Sequence, residues 1–84
     1  MSVPTVKSIN IDPRLPHELP TKNPNVMDPA TYERLREDMR VDGFLQSLLL
    51  VEENGVYFIV DGIHRRDAAV EIGLATVPAL VAPD

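Results

Sequence analysis

Two short apolar runs on either side of a polar turn form the clearest pattern in the chain. Residues 48–51 and 56–60 are rich in β-branched, aromatic and aliphatic side chains, and a Glu-Glu-Asn-Gly segment lies between them. Asn54 and Gly55 both tolerate positive φ, which a two-residue hairpin turn requires. The pattern therefore predicts an antiparallel β-hairpin.

A helix-start signal and a periodic apolar face precede this hairpin. Asp28 is suited to accept hydrogen bonds from free backbone N–H groups, and Pro29 suits a first helical position because its missing N–H would have had no partner there. Apolar side chains then recur three and four residues apart, at Tyr32, Leu35 and Met39. Gly43 adopts the left-handed conformation at little cost, so we expect the helix to end there.

A second helix and a last strand are predicted after the hairpin. An Asp-Gly step at 61–62 interrupts the apolar run, and residues 63–72 then have helical spacing that Gly73 ends. The side chains expected to face the core are Ala68, Ala69 and Ile72. Residues 77–81 predict a final strand, in which Pro78 belongs at an edge or at the start because it cannot donate to a ladder.

The first third of the chain contains less regular structure. Loose alternation over residues 3–11 predicts a short strand, and the proline-rich segment 12–29 predicts a long loop. The expected order is strand, loop, helix, strand, strand, helix, strand. We predict an α+β fold in which a short mixed sheet with a β-hairpin packs against two or more helices. We expect residues 1–84 to form one domain, with 1–28 as strand and loop and 29–84 as core.

Size and charge limit the function classes. With 84 residues and 44% apolar side chains, the core is modest, so a homodimer would be one way to gain burial. The formal net charge of −5 repels a phosphate backbone, and we therefore do not expect direct binding to duplex DNA. The arginines near one another, at 34, 36 and 40 and at 65 and 66, are local exceptions.

Composition also bears on cofactors and location. The chain has no cysteine, which excludes disulfides, thiolate chemistry and cysteine-based metal sites. No apolar run reaches the ~18 residues of a membrane span, and the N-terminus has no signal pattern. We expect a cytoplasmic protein, in the host cytoplasm if a phage encodes it, and no tight metal site.

The segment Asp-Gly-Ile-His-Arg-Arg at 61–66 is the best candidate for chemistry. A helix start offers unpaired N–H groups and a partial positive charge, and anions bind there readily. Gly62 leaves room for a phosphate oxygen, while His64, Arg65 and Arg66 add donors. The alternative is a simple turn with solvated arginines. Cations at a helix N-terminus oppose the helix dipole, however, which favours an anion-binding role.

Residues 43–81 resemble the ParB-like nuclease domain family, whose superfamily also contains sulfiredoxin and a free-serine kinase. The resemblance rests on Gly-Phe-Leu-Gln-Ser-Leu, on Tyr-Phe-Ile-Val-Asp-Gly-Ile-His-Arg-Arg-Asp-Ala-Ala-Val-Glu-Ile-Gly and on Val-Pro-Ala-Leu-Val, in that order. Asn-Pro-Asn at 23–25 and the helix from Pro29 resemble it too. The resemblance implies a small ParB/sulfiredoxin-like fold.

The resemblance to ParB implies nucleotide contacts at two elements. A Gly-x-x-Gln element that meets the base and sugar matches Gly43 and Gln46, and a Gly-x-x-Arg element that cradles the triphosphate matches Gly62 and Arg65, with Arg66 following. The third ParB element lies further downstream, beyond the last residue here. The helix-turn-helix and dimerisation domains are also missing, so we do not expect a sliding clamp.

The other two relatives imply different chemistry. Sulfiredoxin would have its catalytic cysteine where this chain has Ile63, so sulfinic-acid reduction is excluded because isoleucine offers no nucleophile. The free-serine kinases have an Asp-Gly-His-His-Arg motif and an upstream His-Glu pair, matched here in part by residues 61–65 and by His17 and Glu18. Glu18 would act as a base, and Asp61 would assist it or hold Mg²⁺.

Three functions follow as hypotheses. The first is a stand-alone ParB-like domain of a phage or plasmid that binds CTP, ATP or ADP with Mg²⁺, with slow hydrolysis and a DNA-related or regulatory role. Phosphate oxygens would lie on the N–H groups of Ile63, His64 and Arg65. The second is a phosphotransferase or nuclease that uses Glu18, Asp61 and His64. The third is a non-catalytic inhibitor or interaction protein that binds a host factor.

Overall fold

The computed structural model describes residues 6–19 and 27–82. In chain order, its elements are β1 (Lys7–Ile11), β2 (His17–Glu18), α1 (Pro29–Asp42), β3 (Leu48–Glu53), β4 (Val56–Asp61), α2 (Ile63–Ile72) and β5 (Val77–Ala82). The strands form one mixed sheet in the order β1-β5-β3-β4-β2. The predicted α+β class, with a mixed sheet and two helices, is confirmed.

The predicted hairpin is formed by β3 and β4, which pair antiparallel. Asn54 and Gly55 take φ values of 52° and 79° at its turn, as a turn with two positive-φ residues requires. Both strands extend slightly further than their apolar runs, because Glu52, Glu53 and Asp61 also pair.

The last strand lies inside the sheet rather than at its edge. β5 pairs antiparallel with β1 and parallel with β3. Pro78 is the second residue of β5, and the pairing with β3 begins only at Ala79. Of the two places considered for Pro78, the start of the strand is therefore the one that the structure shows.

The N-terminal third differs from the prediction in two ways. The described part of the first strand begins at Lys7, and residues 3–5 of the predicted strand lie outside the described residues. Within the segment predicted as loop, His17–Glu18 forms β2 and pairs parallel with Phe58 and Ile59 of β4. The resemblance noted at 23–25 also lies outside the described residues.

Both helices have the ends that the sequence predicts. The Asp28 carboxylate accepts a hydrogen bond from the N–H of Thr31 at 3.3 Å, and the N–H of Gly43 donates to the carbonyl of Met39 at 2.8 Å. Helix α2 lies between two left-handed glycines, Gly62 and Gly73.

The core joins the sheet to the two helices. Its buried apolar side chains are Ile11, Met39, Leu48, Leu50, Ile59, Ala68, Ala69, Val77, Ala79 and Val81. The predicted inward-facing side chains of α2 belong to it, although Ile72 is only partly buried. Within the described residues, no helix is long and apolar enough to cross a membrane.

Candidate functional site

A β-bulge near the end of β4 begins the candidate site. Leu50 pairs with Ile59 while Leu49 pairs with Asp61, so Val60 is an extra residue on β4. A bulge of this kind bends a strand and redirects the side chains that follow it. It therefore sets the direction in which the chain leaves the sheet at Asp61.

Gly62 makes the turn from β4 into α2, and the atoms around it leave no space for a side chain. Its φ is +106°, a conformation that L side chains rarely adopt. A Cβ at this position would lie 2.7 Å from Leu48 Cδ2 and 3.3 Å from Arg65 Nη2. The turn thus depends on glycine both for its dihedral angles and for the close approach of Leu48 and, less tightly, of Arg65.

The first turn of α2 has no side-chain cap in the folded chain. Gly62 provides no side-chain cap, and the first hydrogen bond of the helix runs from the N–H of Arg66 to the carbonyl of Gly62 at 2.8 Å. The N–H groups of Ile63, His64 and Arg65 come before that bond, at the end of the helix where backbone donors are not used by the helical ladder. Their partial positive charge favours an anion at this end.

A cavity of about 420 Å³ opens beside this helix start. It brings together two segments that are far apart in the sequence, Gly43 to Gln46 after α1 and Val60 to Arg65 around the start of α2. The second half of α1 forms another wall through Leu35, Asp38 and Met39, and Met27 completes the lining. A volume of this size is in the range of small-molecule sites, about 300–1,000 Å³.

The Arg65 side chain links the two segments. Its Nη1 donates a hydrogen bond to Gln46 Oε1, across 19 positions of sequence. Its Nη2 lies 3.8 Å from Asp61 Oδ2, and its Nε is buried without a hydrogen-bond partner among the described residues. The guanidinium is therefore positioned at the cavity with donor capacity remaining.

Arg66 points elsewhere, although it is adjacent in sequence. Its Nη1 donates to the carbonyl of Pro16 at 3.0 Å and its Nε to Asp67 at 2.7 Å, while Nη2 lies 3.8 Å from Glu18 Oε1. Its side chain is 13% exposed. Neither Arg66 nor Glu18 lines the cavity. Arg66 instead ties α2 to the segment around β2.

The three proposed catalytic residues are consequently not brought together. Asp61 and His64 line the cavity, whereas Glu18 lies in the Arg66 network. His17 contacts the Phe58 ring, with 6.0 Å between the ring centroids. The His-Glu pair that resembles the kinase motif is thus part of a short edge strand, and its catalytic role stays a prediction.

A Tyr32 cluster supports the His64 wall of the cavity. The Tyr32 and His64 rings meet edge to face with 6.4 Å between centroids, and the Tyr32 hydroxyl donates to Glu71 Oε2 at 2.9 Å. Arg36 lies 5.3 Å from the centre of the Tyr32 ring and 3.3 Å from Glu71. Burial, together with the Glu71 hydrogen bond, raises the pKa of Tyr32 to about 12.

Sequence reasoning missed Asp38 as part of the site. It follows Leu35 by three residues and precedes Met39, so the apolar periodicity of α1 already placed it beside the inward face. Asp38 and Asp61 both line the cavity. The described residues contain no group of three or more metal-ligating side chains.

The family model of the ParB N-terminal domain matches residues 3–83, which is nearly the whole chain. The chain belongs to the ParB N-terminal domain family. A nucleoid occlusion protein of Halalkalibacterium halodurans is 32% identical over 73 residues. That match covers 77% of this chain but 26% of the relative.

Solved structures agree with this ParB assignment. The C-terminally truncated chromosome-partitioning protein ParB from Caulobacter crescentus, complexed with CTP-γ-S, superposes with a TM-score of 0.78 at 29% identity. The superposition covers 89% of this chain and 43% of that one. The same Caulobacter protein has also been solved complexed to the centromeric parS site, with a TM-score of 0.78 and coverage of 87% and 39%.

The sulfiredoxin resemblance is confirmed at the level of the fold. Sulfiredoxin from Arabidopsis thaliana superposes with a TM-score of 0.79, covering 93% of this chain and 86% of that one, at 19% identity. This chain thus matches nearly all of a sulfiredoxin, but less than half of the Caulobacter ParB chain and about a quarter of the nucleoid occlusion protein.

Proposed function

We propose that this ParB N-terminal domain binds a nucleotide in the cavity between α1 and the start of α2, and holds it chiefly by its phosphates. The observation that carries the proposal is the hydrogen bond between Arg65 and Gln46 at the cavity. The two elements expected to meet opposite ends of a nucleotide are thereby placed side by side.

The phosphates would lie at the start of α2. The N–H groups of Ile63, His64 and Arg65 precede the first hydrogen bond of α2, and Gly62 provides no capping side chain there. The Arg65 guanidinium adds a fixed positive charge, which binds phosphate more strongly than neutral donors do. Together these groups supply both the dipole and the charge that an anion site needs.

The sugar and base would extend towards the Gly43 to Gln46 segment. Because Gln46 Oε1 accepts from Arg65, the two N–H donors of its amide would serve the ligand. Phe44 and Leu45 add apolar surface to the same wall. The segment thus offers hydrogen-bond donors beside an apolar surface, which suits a nucleobase and ribose.

CTP is the first nucleotide to test, because the Caulobacter ParB in the 29% identical structure is complexed with CTP-γ-S. ATP and ADP are the alternatives. Mg²⁺ would accompany the ligand, since this ion usually binds through one or two carboxylates together with substrate phosphates. Asp61 and Asp38 are the carboxylates that line the cavity, and their oxygen ligands are of the type that Mg²⁺ prefers.

Isothermal titration of the chain with CTP, ATP and ADP in the presence of Mg²⁺ tests the proposal. We expect saturable binding of CTP and a loss of about 10- to 100-fold in affinity for Arg65→Met, the range for a hydrogen bond to a charged group. Arg66→Met is the matched control, because it removes the same charge one residue away and outside the cavity.

The titrations of the two variants distinguish binding in the cavity from an effect of overall charge. Binding that survives Arg66→Met but not Arg65→Met supports the assignment. Equal losses in both variants, with folding confirmed by circular dichroism, would show that the site depends on overall charge rather than on this cavity. The absence of heat with all three nucleotides would overturn the proposed function.

A further inference from the structure

One face of the sheet is not covered by either helix of the described residues. Buried side chains of β3 and β5, such as Leu48, Leu50 and Ala79, belong to the core shared with α1 and α2. The residues that alternate with them lie on the opposite side of the sheet. We call this side the outer face, and its six residues are Leu49, Val51, Phe58, Pro78, Leu80 and Ala82. None of the six is among the side chains that form the core or pack against it.

Strand pairing joins the outer face into one continuous patch. Ala82, Val51 and Phe58 lie side by side on β5, β3 and β4, and Leu80 lies beside Leu49. The next pairs along place polar residues at the margin: Ser8 beside Leu80, Asn10 beside Pro78, His17 beside Phe58 and Asp61 beside Leu49. An apolar centre within a polar rim is the usual anatomy of a protein interface.

We propose that two copies of this chain pair through their outer faces, with the two sheets packed face to face. All six residues of the face are apolar, so its partner is recognised by apolar area and shape. A second copy supplies a face of the same size and the same twist. Two such sheets pack about 10 Å apart with their strands about 30° from alignment. The inference does not depend on nucleotide binding.

The helix layer, formed by α1 and α2, suits a second copy less well. Helix α1 has seven charged side chains and α2 has four. Burial of charged groups is unfavourable unless each finds a partner. Pairing through the outer face leaves the helix layer, together with the cavity that it lines, in contact with solvent.

The outer face has the size expected for a weak dimer. Five strands about 4.8 Å apart, the longest of six residues, give a flat footprint of about 400 Å² per copy. With the relief of the side chains, two copies together bury about 1,000 Å², which is the lower limit for a specific interface. We therefore expect a dissociation constant of about 10–100 µM.

The carboxylates of the hairpin determine how the two copies are oriented. Glu52 and Glu53 lie at the end of β3, next to the turn, and each copy has a net charge of −5. A twofold axis perpendicular to the strands places the two turns at opposite ends of the pair, about 20 Å apart. That separation exceeds the Debye length of about 8 Å at physiological salt. An axis parallel to the strands would bring the glutamates of both copies together.

Sedimentation equilibrium between about 10 µM and about 1 mM tests the pairing on wild type, Leu80→Glu and Val41→Glu. Val41 is the matched control, because it is a 74% exposed apolar residue on α1 and receives the same change on the helix layer. We expect Leu80→Glu to weaken the dimer by at least about tenfold, since it buries an unpaired carboxylate. Val41→Glu should weaken it by less than about threefold, as is typical of an exposed charge.

Crosslinking provides a second test with a change that keeps the side chain apolar. Because the chain has no cysteine, Leu80→Cys and Val41→Cys each introduce a single thiol. A short bismaleimide reagent should link Leu80→Cys into a covalent dimer and leave Val41→Cys monomeric at the same concentration. About 1 M NaCl should strengthen the wild-type dimer, because salt screens the repulsion between two acidic copies.

Wild type that remains monomeric at about 1 mM would overturn the inference. A dimer that Val41→Glu disrupts and Leu80→Glu does not would overturn it too, because pairing would then use the helix layer. CTP with Mg²⁺ should leave the dissociation constant within about twofold of its value without nucleotide, since the cavity lies outside the interface. A dimer that forms only with nucleotide would contradict pairing through the outer face.

Discussion

At the scale of the residue, the missing Cβ of Gly62 matters both to the fold and to the candidate site. A methyl group there would meet Leu48 Cδ2 at 2.7 Å, and Leu48 is fully buried, so its side chain has no free space to enter. We expect Gly62→Ala to lower the free energy of unfolding by about 2–4 kcal/mol, from the strained φ and the overpacking together. Urea unfolding measures this loss.

Gly73→Ala separates the two causes. Gly73 has a φ of +81° but nothing within 4 Å of the Cβ position, so alanine there is strained without a clash. We expect a loss of only about 1 kcal/mol. If Gly62→Ala and Gly73→Ala lower the free energy of unfolding by the same amount, the contact with Leu48 contributes nothing measurable to that loss.

Tyr32 provides a second prediction at this scale, through its pKa. Burial and the Glu71 hydrogen bond raise that pKa from 10.0 to about 12, so the folded chain retains the phenol proton at a pH where the unfolded chain has lost it. The resulting stabilisation is fully present below pH 10 and is lost as the pH rises towards 12.

Because the pKa of Tyr57 is also raised, by its hydrogen bond to Glu52, the test uses a Tyr57→Phe background. Between about pH 9 and about pH 11, we expect the urea midpoint of Tyr57→Phe to fall further than that of the Tyr32→Phe/Tyr57→Phe double variant. Parallel declines in the two proteins would contradict a raised pKa at Tyr32.

The different directions of the Arg65 and Arg66 side chains could not be predicted from the sequence. The Gly-x-x-Arg spacing predicted Arg65 at the phosphate end, and the structure places its side chain at the cavity. Arg66 was assigned to the same ligand because it is adjacent. Successive helical residues point about 100° apart, however, and only the packing of α2 determines which of two neighbours faces a cavity.

At the scale of the element, the Arg66 side chain stabilises the shortest strand in the described sheet. It donates to the carbonyl of Pro16, a buried residue, immediately before β2. We expect Arg66→Met to reduce stability by about 1–2 kcal/mol, because a charge-assisted hydrogen bond is lost and a carbonyl is left unpaired. Hydrogen exchange should report faster exchange of the β2 amides.

The control for that variant is Arg34→Met, at an exposed position on α1. We expect a change within about 0.5 kcal/mol, as is typical of exposed sites. If the β2 amides of Arg66→Met exchange as slowly as those of wild type, the two-residue pairing of β2 with β4 holds the strand in place without the Arg66–Pro16 hydrogen bond.

The elements that the sequence predicted well are those with strong local signals. Helix α1 has a cap, a proline and a three-four periodicity, and the hairpin has its Asn-Gly turn. β2 has no such signal, because two residues cannot show a period and its pairing with Phe58 and Ile59 is a long-range event. The internal position of β5 likewise depends on the order of the strands in the sheet, which no local sequence pattern indicates.

At the scale of the whole molecule, charge and family membership point in different directions. The Caulobacter ParB has been solved complexed to the centromeric parS site, but this chain covers 39% of that chain. Its own net charge is −5, and several arginines that could offset it are paired with carboxylates, among them Arg36 with Glu71 and Arg66 with Asp67. Pairing of two copies stays a prediction, as do a phage or plasmid source and a cytoplasmic location.

We therefore expect the 84-residue chain to have no measurable affinity for duplex DNA at physiological salt. Non-specific binding depends on release of counterions by Lys and Arg, and a protein that neutralises few phosphates gains little from it. Fluorescence anisotropy of a labelled parS duplex, with and without CTP and Mg²⁺, provides the measurement. Binding whose affinity falls steeply between about 50 mM and 200 mM salt would reveal a basic surface that net charge conceals. Binding that appears only with CTP would instead make nucleotide occupancy, rather than charge, the condition for DNA contact.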